Sequence, residues 1–172
     1  MEKMIDKYDR NNILFLDFDG VCNSFETGSY LTHEPSEYGP DPKIIKRVRE
    51  ICKDGNARII ISSNWRRFDK DGTYVFDGIR YKNPLGGLYS MIGDLIDGTL
   101  TVERHLTKAQ ALILWFEDHP DFRGRFAVVD DDPREGIQND EFLRQNFWHT
   151  DMKHGLTESI KKEIISHFNG IE

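Results

Sequence analysis

The stretch LFLDFDGVC, residues 14–22, sets two carboxylates, Asp17 and Asp19, at the end of an apolar run. Burying an ionised acid without a partner is costly, so the pair marks either a solvated strand end or a site that uses its charge. Residues two apart on an extended chain point the same way, and both acids can therefore address one place. Working outward, ILFLDF (13–18), ARIIIS (57–62), RFAVVD (125–130) and NFWHT (146–150) read as strands. The first three are nearly continuous in hydrophobicity, as parallel strands covered on both faces are.

Helical patterns separate these runs. In DPKIIKRVREICKDG (41–55), Asp41 is a candidate N-cap and Pro42 takes the first helical position. Ile44, Ile45, Val48, Ile51 and Cys52 share one face, and Gly55 is a stop signal. A second helix, Thr107 to Asp118, is apolar nearly all round and is predicted to be deeply packed, with His119-Pro120 ending it. A third, Thr157 to Phe168, aligns Ile160, Ile164, Ile165 and Phe168. The alternation predicts right-handed crossovers and a doubly wound α/β fold, a mainly parallel sheet flanked by helices, in a single domain over 1–172. Residues 20–40 and 66–104 break the alternation and exceed ordinary connection lengths, so they are expected to form a small flap and a loop insertion.

The 172 residues are 38% hydrophobic and 31% charged, the balance of a soluble globular chain. No run reaches the roughly 18 apolar residues of a membrane span, and the polar start MEKMIDKYDRNN lacks a signal-peptide core, which predicts a cytoplasmic location and no membrane partner. Cys22 and Cys52, with no CxxC, exclude a disulfide framework and a structural zinc site and read as reduced thiols. A formal net charge of -7 opposes stable binding to duplex nucleic acid, where affinity comes from neutralising phosphates, but permits a local pocket for one phosphate. There is no GxxxxGK[ST] and no usable GxGxxG, which disfavours an NTP-driven kinase or a dinucleotide enzyme. DKDG (69–72) fails as a calcium loop because its glycine comes too early and no glutamate follows. His149, Asp151 and His154 match no common ligand spacing and read as packing residues.

The polar residues that close the strands carry the chemistry. The second strand ends in Ser62 and Ser63, and the third in Asp130, Asp131 and Asp132. If these strands neighbour the first, carboxylates and a hydroxyl meet at one sheet edge, where open α/β sheets bind ligands. Clustered acids need a cation, and hard oxygen donors without imidazole select Mg²⁺. A Mg²⁺ held by few protein oxygens shares the ion with a phosphate, and a phosphate beside a carboxylate suggests an aspartyl phosphate. Lys108, opening the second helix, is placed to neutralise phosphoryl oxygens. Arg66 and Arg67 suit a phosphate or a solvated loop equally. Trp65, Phe68, Tyr74, Phe76 and Tyr81 either stack on a base or pack their loop onto the domain.

DFDGV after an apolar strand, IIISS closing the second, Lys108 in HLTKAQALILWF and FAVVDDD closing the third together resemble the four ordered motifs of the haloacid dehalogenase superfamily of phosphohydrolases. The resemblance implies that Asp17 is the nucleophile and Asp19 the general acid and base. It implies that Ser62 binds the phosphoryl group, with Ser63 as the one-residue alternative, and that Lys108 stabilises phosphoryl charge. Mg²⁺ would be held by Asp17, Asp131 and the backbone carbonyl of Asp19, with Asp130 binding metal or orienting Lys108. ISSNWR followed by VVDDDP is most similar to the small, poorly capped domains joined to RNA-repair enzymes and to polynucleotide phosphatases and deoxynucleotidases. That implies a phosphorylated nucleotide or nucleic-acid end as substrate, contacted by Ser63, Asn64 and Arg66; a sugar phosphate or other small metabolite, or a non-catalytic binding domain of the same fold, are the alternatives. A receiver domain also clusters acids and a lysine, but its phosphorylated Asp follows a later strand.

Overall fold

The computed structural model describes residues 10–29 and 38–171. Five strands form one sheet: β1 (Asn12–Leu16), β2 (Ala57–Ile61), β5 (Ile96–Thr99), β6 (Phe126–Asp130) and β7 (Phe147–His149), in the order β5-β2-β1-β6-β7. Every pairing is parallel. Between them run α1 (Pro42–Asp54), a hairpin of β3 (Thr73–Phe76) and β4 (Ile79–Lys82), α2 (Pro84–Ile92), α3 (Lys108–Asp118) and α4 (Glu141–Arg144), with α5 (Glu158–Phe168) last.

The pleat divides the core. Leu14, Leu16, Ile59, Ile61, Ala127 and Val129 face a layer made by α1, α2 and α5, where Val48, Leu88 and Ile164 are fully buried. Ile13, Phe15, Ile60, Phe126 and Val128 face α3, and Phe15 meets Trp115 edge-on with ring centroids 5.2 Å apart. Sheet residues buried on both faces give the continuous apolar runs of β1, β2 and β6.

Helix caps explain the boundaries. Asp41 accepts from the Lys43 amide ahead of Pro42, and Thr107 with Gln110 forms a reciprocal capping box on α3. Gly55 ends α1 in an ordinary conformation (φ -96°); it is required because a Cβ there would lie 2.6 Å from the Phe168 ring, and the left-handed residue is Asn56 (φ 50°).

Two expectations are corrected. The loop insertion over 66–104 contains β3, β4, α2 and the edge strand β5. Gly86 and Gly87 lower helix propensity in α2, yet Cβ atoms there would lie 2.7 Å from the Lys70 carbonyl and 3.2 Å from Pro40, so close packing demands them. β5 hides behind Gly98 (φ 150°) and an irregular register against Ile59 and Ile60. Finally, α3 is buried along Lys108, Ala111, Leu112 and Trp115 only; Ile113 and Phe116 are half-buried and Gln110 and Glu117 exposed. Of the flap residues, Tyr30 and His33 lie outside the described residues. Among the described residues, no helix is long and apolar enough to cross a membrane.

Candidate active site

Register brings the acids together. Leu16 is level with Ile61 on one side and Val129 on the other, so Asp17, Ser62 and Asp130 occupy adjoining positions at the carboxyl edge. The Asp17 amide donates to the Val129 carbonyl (3.2 Å) and the Ser62 amide to the Leu16 carbonyl (2.9 Å). β2 and β5 lie to one side of β1, β6 and β7 to the other, so the crevice opens where the strand order reverses.

Asp17, Asp130 and Asp131 each present a carboxylate oxygen within 4.8 Å of the others. Lys108, 3% exposed, reaches Asp17 Oδ1 at 3.3 Å and also bonds Asp130 Oδ2. Burial pushes the Asp17 and Asp130 carboxyls up to about 7; Asp131 adds to the rise of Asp17 and Asp17 to that of Asp130, while Lys108 opposes both. Burial, then Asp130, raises Asp131 to about 6. Burial works against the charge of Lys108, but Asp17 and Asp130 outweigh it and hold the ammonium above its ordinary range. One cation among these acids leaves an excess of negative charge, and the donors are all hard oxygens. The set fits Mg²⁺.

Gly20 makes this proximity achievable. Its φ is 72°, and a Cβ would lie 2.3 Å from Asp131 Oδ2, so only glycine admits the carboxylate against the turn. Asn23 braces the same turn by accepting from the Gly20 amide (2.8 Å), Thr150 donates to the Gly20 carbonyl (2.7 Å), and His149 Nε2 lies 2.9 Å from the Asp131 carbonyl.

Asp19 is held apart from the three clustered acids. Tyr38 Oη (2.6 Å) and Asn23 Nδ2 (3.1 Å) donate to Oδ1, and Trp65 Nε1 (2.9 Å) donates to Oδ2. Burial raises its carboxyl, and these three donors pull the other way. Its side chain is therefore not a member of the metal cluster.

Two substrate-site expectations change. Ser62 is fully buried with no hydrogen-bond partner for its Oγ, and it does not line the cleft; Ser63 does, with Oγ accepting from the Trp65 amide at 3.2 Å. β2 continues in extended pairing to Ser62, so that residue shares the Ile60 side of the pleat and is level with Asp17; burial, not the pleat, keeps it out of the cleft wall. Arg66, expected to meet a phosphate, is 7% exposed and absent from the cleft wall. It donates to the carbonyls of Thr101 (3.0 Å), Ser62 (2.9 Å) and Ser63 (3.1 Å) and so ties the end of β2 to the segment after β5.

Asn64 is exposed in the cleft, and its Nδ2 donates to Glu135 Oε1 (3.2 Å) while Glu135 Oε2 accepts from the Lys108 amide (2.8 Å). Glu135 thus accepts from an amide at the start of α3, a contact that no local pattern announces. Asp132 is occupied by Arg134, whose Nε and Nη2 both approach to 2.9 Å and hold its carboxyl below the usual range. His154 pairs with Asp151 at 2.9 Å, away from the clustered acids.

The cleft, about 630 Å³, runs from Asp17, Lys108, Ser63 and Asp131 to a wall of Tyr38, Trp65, Phe68, Phe76 and Tyr81. Trp65 packs against Phe76 (5.5 Å), Phe68 (5.9 Å) and Tyr74 (6.1 Å), and Tyr38 against Tyr81 (5.3 Å).

Neither the curated proteins nor the solved structures contain a significant match. The family described as the HAD domain in Swiss Army Knife RNA repair proteins matches residues 13–160, from β1 into the start of α5. With its parallel sheet and with the acids, serine and lysine placed in order around one crevice, the chain belongs to this haloacid dehalogenase family of domains.

Proposed function

We propose that the protein is a Mg²⁺-dependent phosphomonoesterase that works through a phosphorylated Asp17. The observation that carries this reading is Lys108 reaching Asp17 at 3.3 Å while also bonding Asp130, inside a carboxylate cluster that opens onto Ser63. Asp17, Asp130, Asp131 and the Asp19 backbone carbonyl would hold Mg²⁺, which when bound supplies charge neutralisation for the acids and the phosphoryl oxygens.

An Asp17 carboxylate oxygen attacks phosphorus, the bond to the leaving oxygen breaks, and Asp19 delivers its proton to that oxygen. Asp19 then takes a proton from water as the water attacks the phosphorus of the acyl phosphate, releasing phosphate and restoring Asp17. Lys108 stays charged throughout, and the Ser63 hydroxyl takes the phosphate-binding role first given to Ser62. Burial favours the protonated Asp19 of the first step, and the donors from Tyr38, Trp65 and Asn23 favour the anion of the second. Asp130 and Glu135 position Lys108 through its ammonium and its amide.

The substrate is a phosphorylated nucleotide or nucleic-acid end, a reading supported by the RNA-repair description of the family. The test is phosphate release from p-nitrophenyl phosphate and from 3′- and 5′-phosphorylated oligonucleotides, with and without Mg²⁺. Turnover that is lost with chelator and in Asp17→Asn is expected; no turnover on any substrate, or an Asp17→Asn variant as active as the parent, overturns it.

A further inference from the structure

We propose that Phe76 and Met152 form a ring-binding clamp for the leaving group and that the ring is a nucleobase. Most large apolar side chains exposed on the described surface lie away from the cleft, but these two, 46% and 44% exposed, line it. They come from opposite flanks of the sheet. Phe76 sits on the hairpin that follows β2, Met152 on the segment that follows β7, and β1 with its acids lies between. A leaving group attached to a phosphate at Asp17 therefore passes between them.

The chemistry of this end suits a planar, apolar-faced group. Of the two cations lining the cleft, Lys108 lies among the acids and Arg134 is bonded to Asp132, whereas the hairpin side of the cleft is built from rings. Trp65 is already committed, its Nε1 on Asp19 and Tyr38 and its faces among Phe68, Tyr74 and Phe76. Tyr81 is 7% exposed and packs on Tyr38. Phe76, which meets Trp65 edge-on and Tyr81 at 6.5 Å, is the most exposed ring of the wall, and a polarizable methionine is a good second face for an aromatic. Every base offers a π-face, so such a clamp selects nucleotides over bare sugar phosphates without reading sequence. This inference rests on Asp17 being where the phosphate goes.

Binding separates its failure from that of the catalytic reading, because no turnover is required. Adenosine 3′- and 5′-monophosphate, a phosphorylated dinucleotide and ribose 5-phosphate are titrated calorimetrically into Asp17→Asn with Mg²⁺. At least one adenosine monophosphate is expected to bind about tenfold or more tighter than ribose 5-phosphate. Phe76→Ala in that background removes most of this advantage, for mononucleotide and dinucleotide alike, and Met152→Ala a smaller part. Phe142→Ala, an equally exposed apolar site outside the cleft, changes nothing, and ribose 5-phosphate affinity is the same in all variants. The tighter binder of mononucleotide and dinucleotide in the Asp17→Asn background identifies a free nucleotide or a strand end as the source of the ring. Equal affinity for nucleotide and ribose phosphate, or an equal loss on all ligands in Phe76→Ala, overturns the clamp even if the protein proves to be a phosphatase.

Discussion

The two ends of the cleft are built on opposite terms. At the acidic end, where the phosphate is proposed to bind, Asp17, Asp130, Asp131 and Lys108 sit on strand ends and a helix start, all but Asp131 almost fully buried, each placed by sheet register or a cap. At the far end, Tyr38, Trp65 and Phe76 come from loops and a two-stranded hairpin and remain partly exposed. A reaction centre gains from rigid, desolvated charge, because fixed groups in a water-poor site need no reorganisation when charge moves. A recognition wall gains from surface that can be exchanged without disturbing the sheet. The difference predicts that substitutions at one end change the rate and at the other end affinity.

The largest expected effect is at the proposed nucleophile. Asp17→Asn should lower kcat by at least about a thousandfold, as removal of a covalent nucleophile does. Its nucleotide affinity should stay within a few-fold of the parent in equilibrium titration; a comparable loss of affinity would break the division between the two ends.

Lys108→Met comes next. It removes the one cation bonded within the cluster, so kcat should fall by about 10²–10³, and leaving buried acids without their partner should cost about 3–5 kcal/mol in urea unfolding. Added Mg²⁺ should recover part of the stability and little of the rate.

The paired serines give a smaller and sharper test. Ser63→Ala should lower kcat/KM on the order of tenfold to a hundredfold, as loss of one phosphoryl hydrogen bond does. Ser62→Ala removes a buried hydroxyl with no partner and should leave both activity and stability near the parent. Reversal of that order would restore Ser62 to the phosphate.

The smallest effect is on thermal stability. Asp17, Asp130 and Asp131 have folded pKa values raised to about 7, 7 and 6, so the folded metal-free protein holds more protons than the unfolded chain between about pH 4 and pH 7. Their contribution is fully present below pH 4 and lost as pH rises through 6 and 7. Melting of the metal-free protein should therefore fall by a few degrees from pH 5 to pH 8, and Mg²⁺ should raise the midpoint more at pH 8 than at pH 5. An equal Mg²⁺ effect at both would argue against these acids as its ligands.

How much of this was legible from the chain divides along the same line. Asp17, Lys108 and Asp130 could be read because apolar runs fix where strands end and Thr107 fixes where α3 begins, both local signals. The serines needed one further fact, which of two adjacent hydroxyls the tertiary packing leaves open to the cleft. Arg66 stayed open between a phosphate and a solvated loop because a guanidinium after a strand looks the same whether it meets a phosphate or three carbonyls. Glu135 and Asn23 were missed since each acts on a residue that only the tertiary fold brings near. The hairpin was missed since its apolar residues face solvent and the cleft rather than the core, so they follow no core periodicity.

Trp65 joins the two ends. Its indole N–H is 2.9 Å from the Asp19 carboxylate, while its ring is wedged among Phe68, Tyr74 and Phe76. The hairpin is consequently not a cassette that can be traded for another specificity at no cost elsewhere. Grafting a different loop between β2 and α2 would disturb the indole and, with it, the Asp19 carboxylate proposed to move the proton. New substrates in this lineage are more accessible by exchanging single side chains at the rim, Phe76 first, than by replacing the segment as a whole.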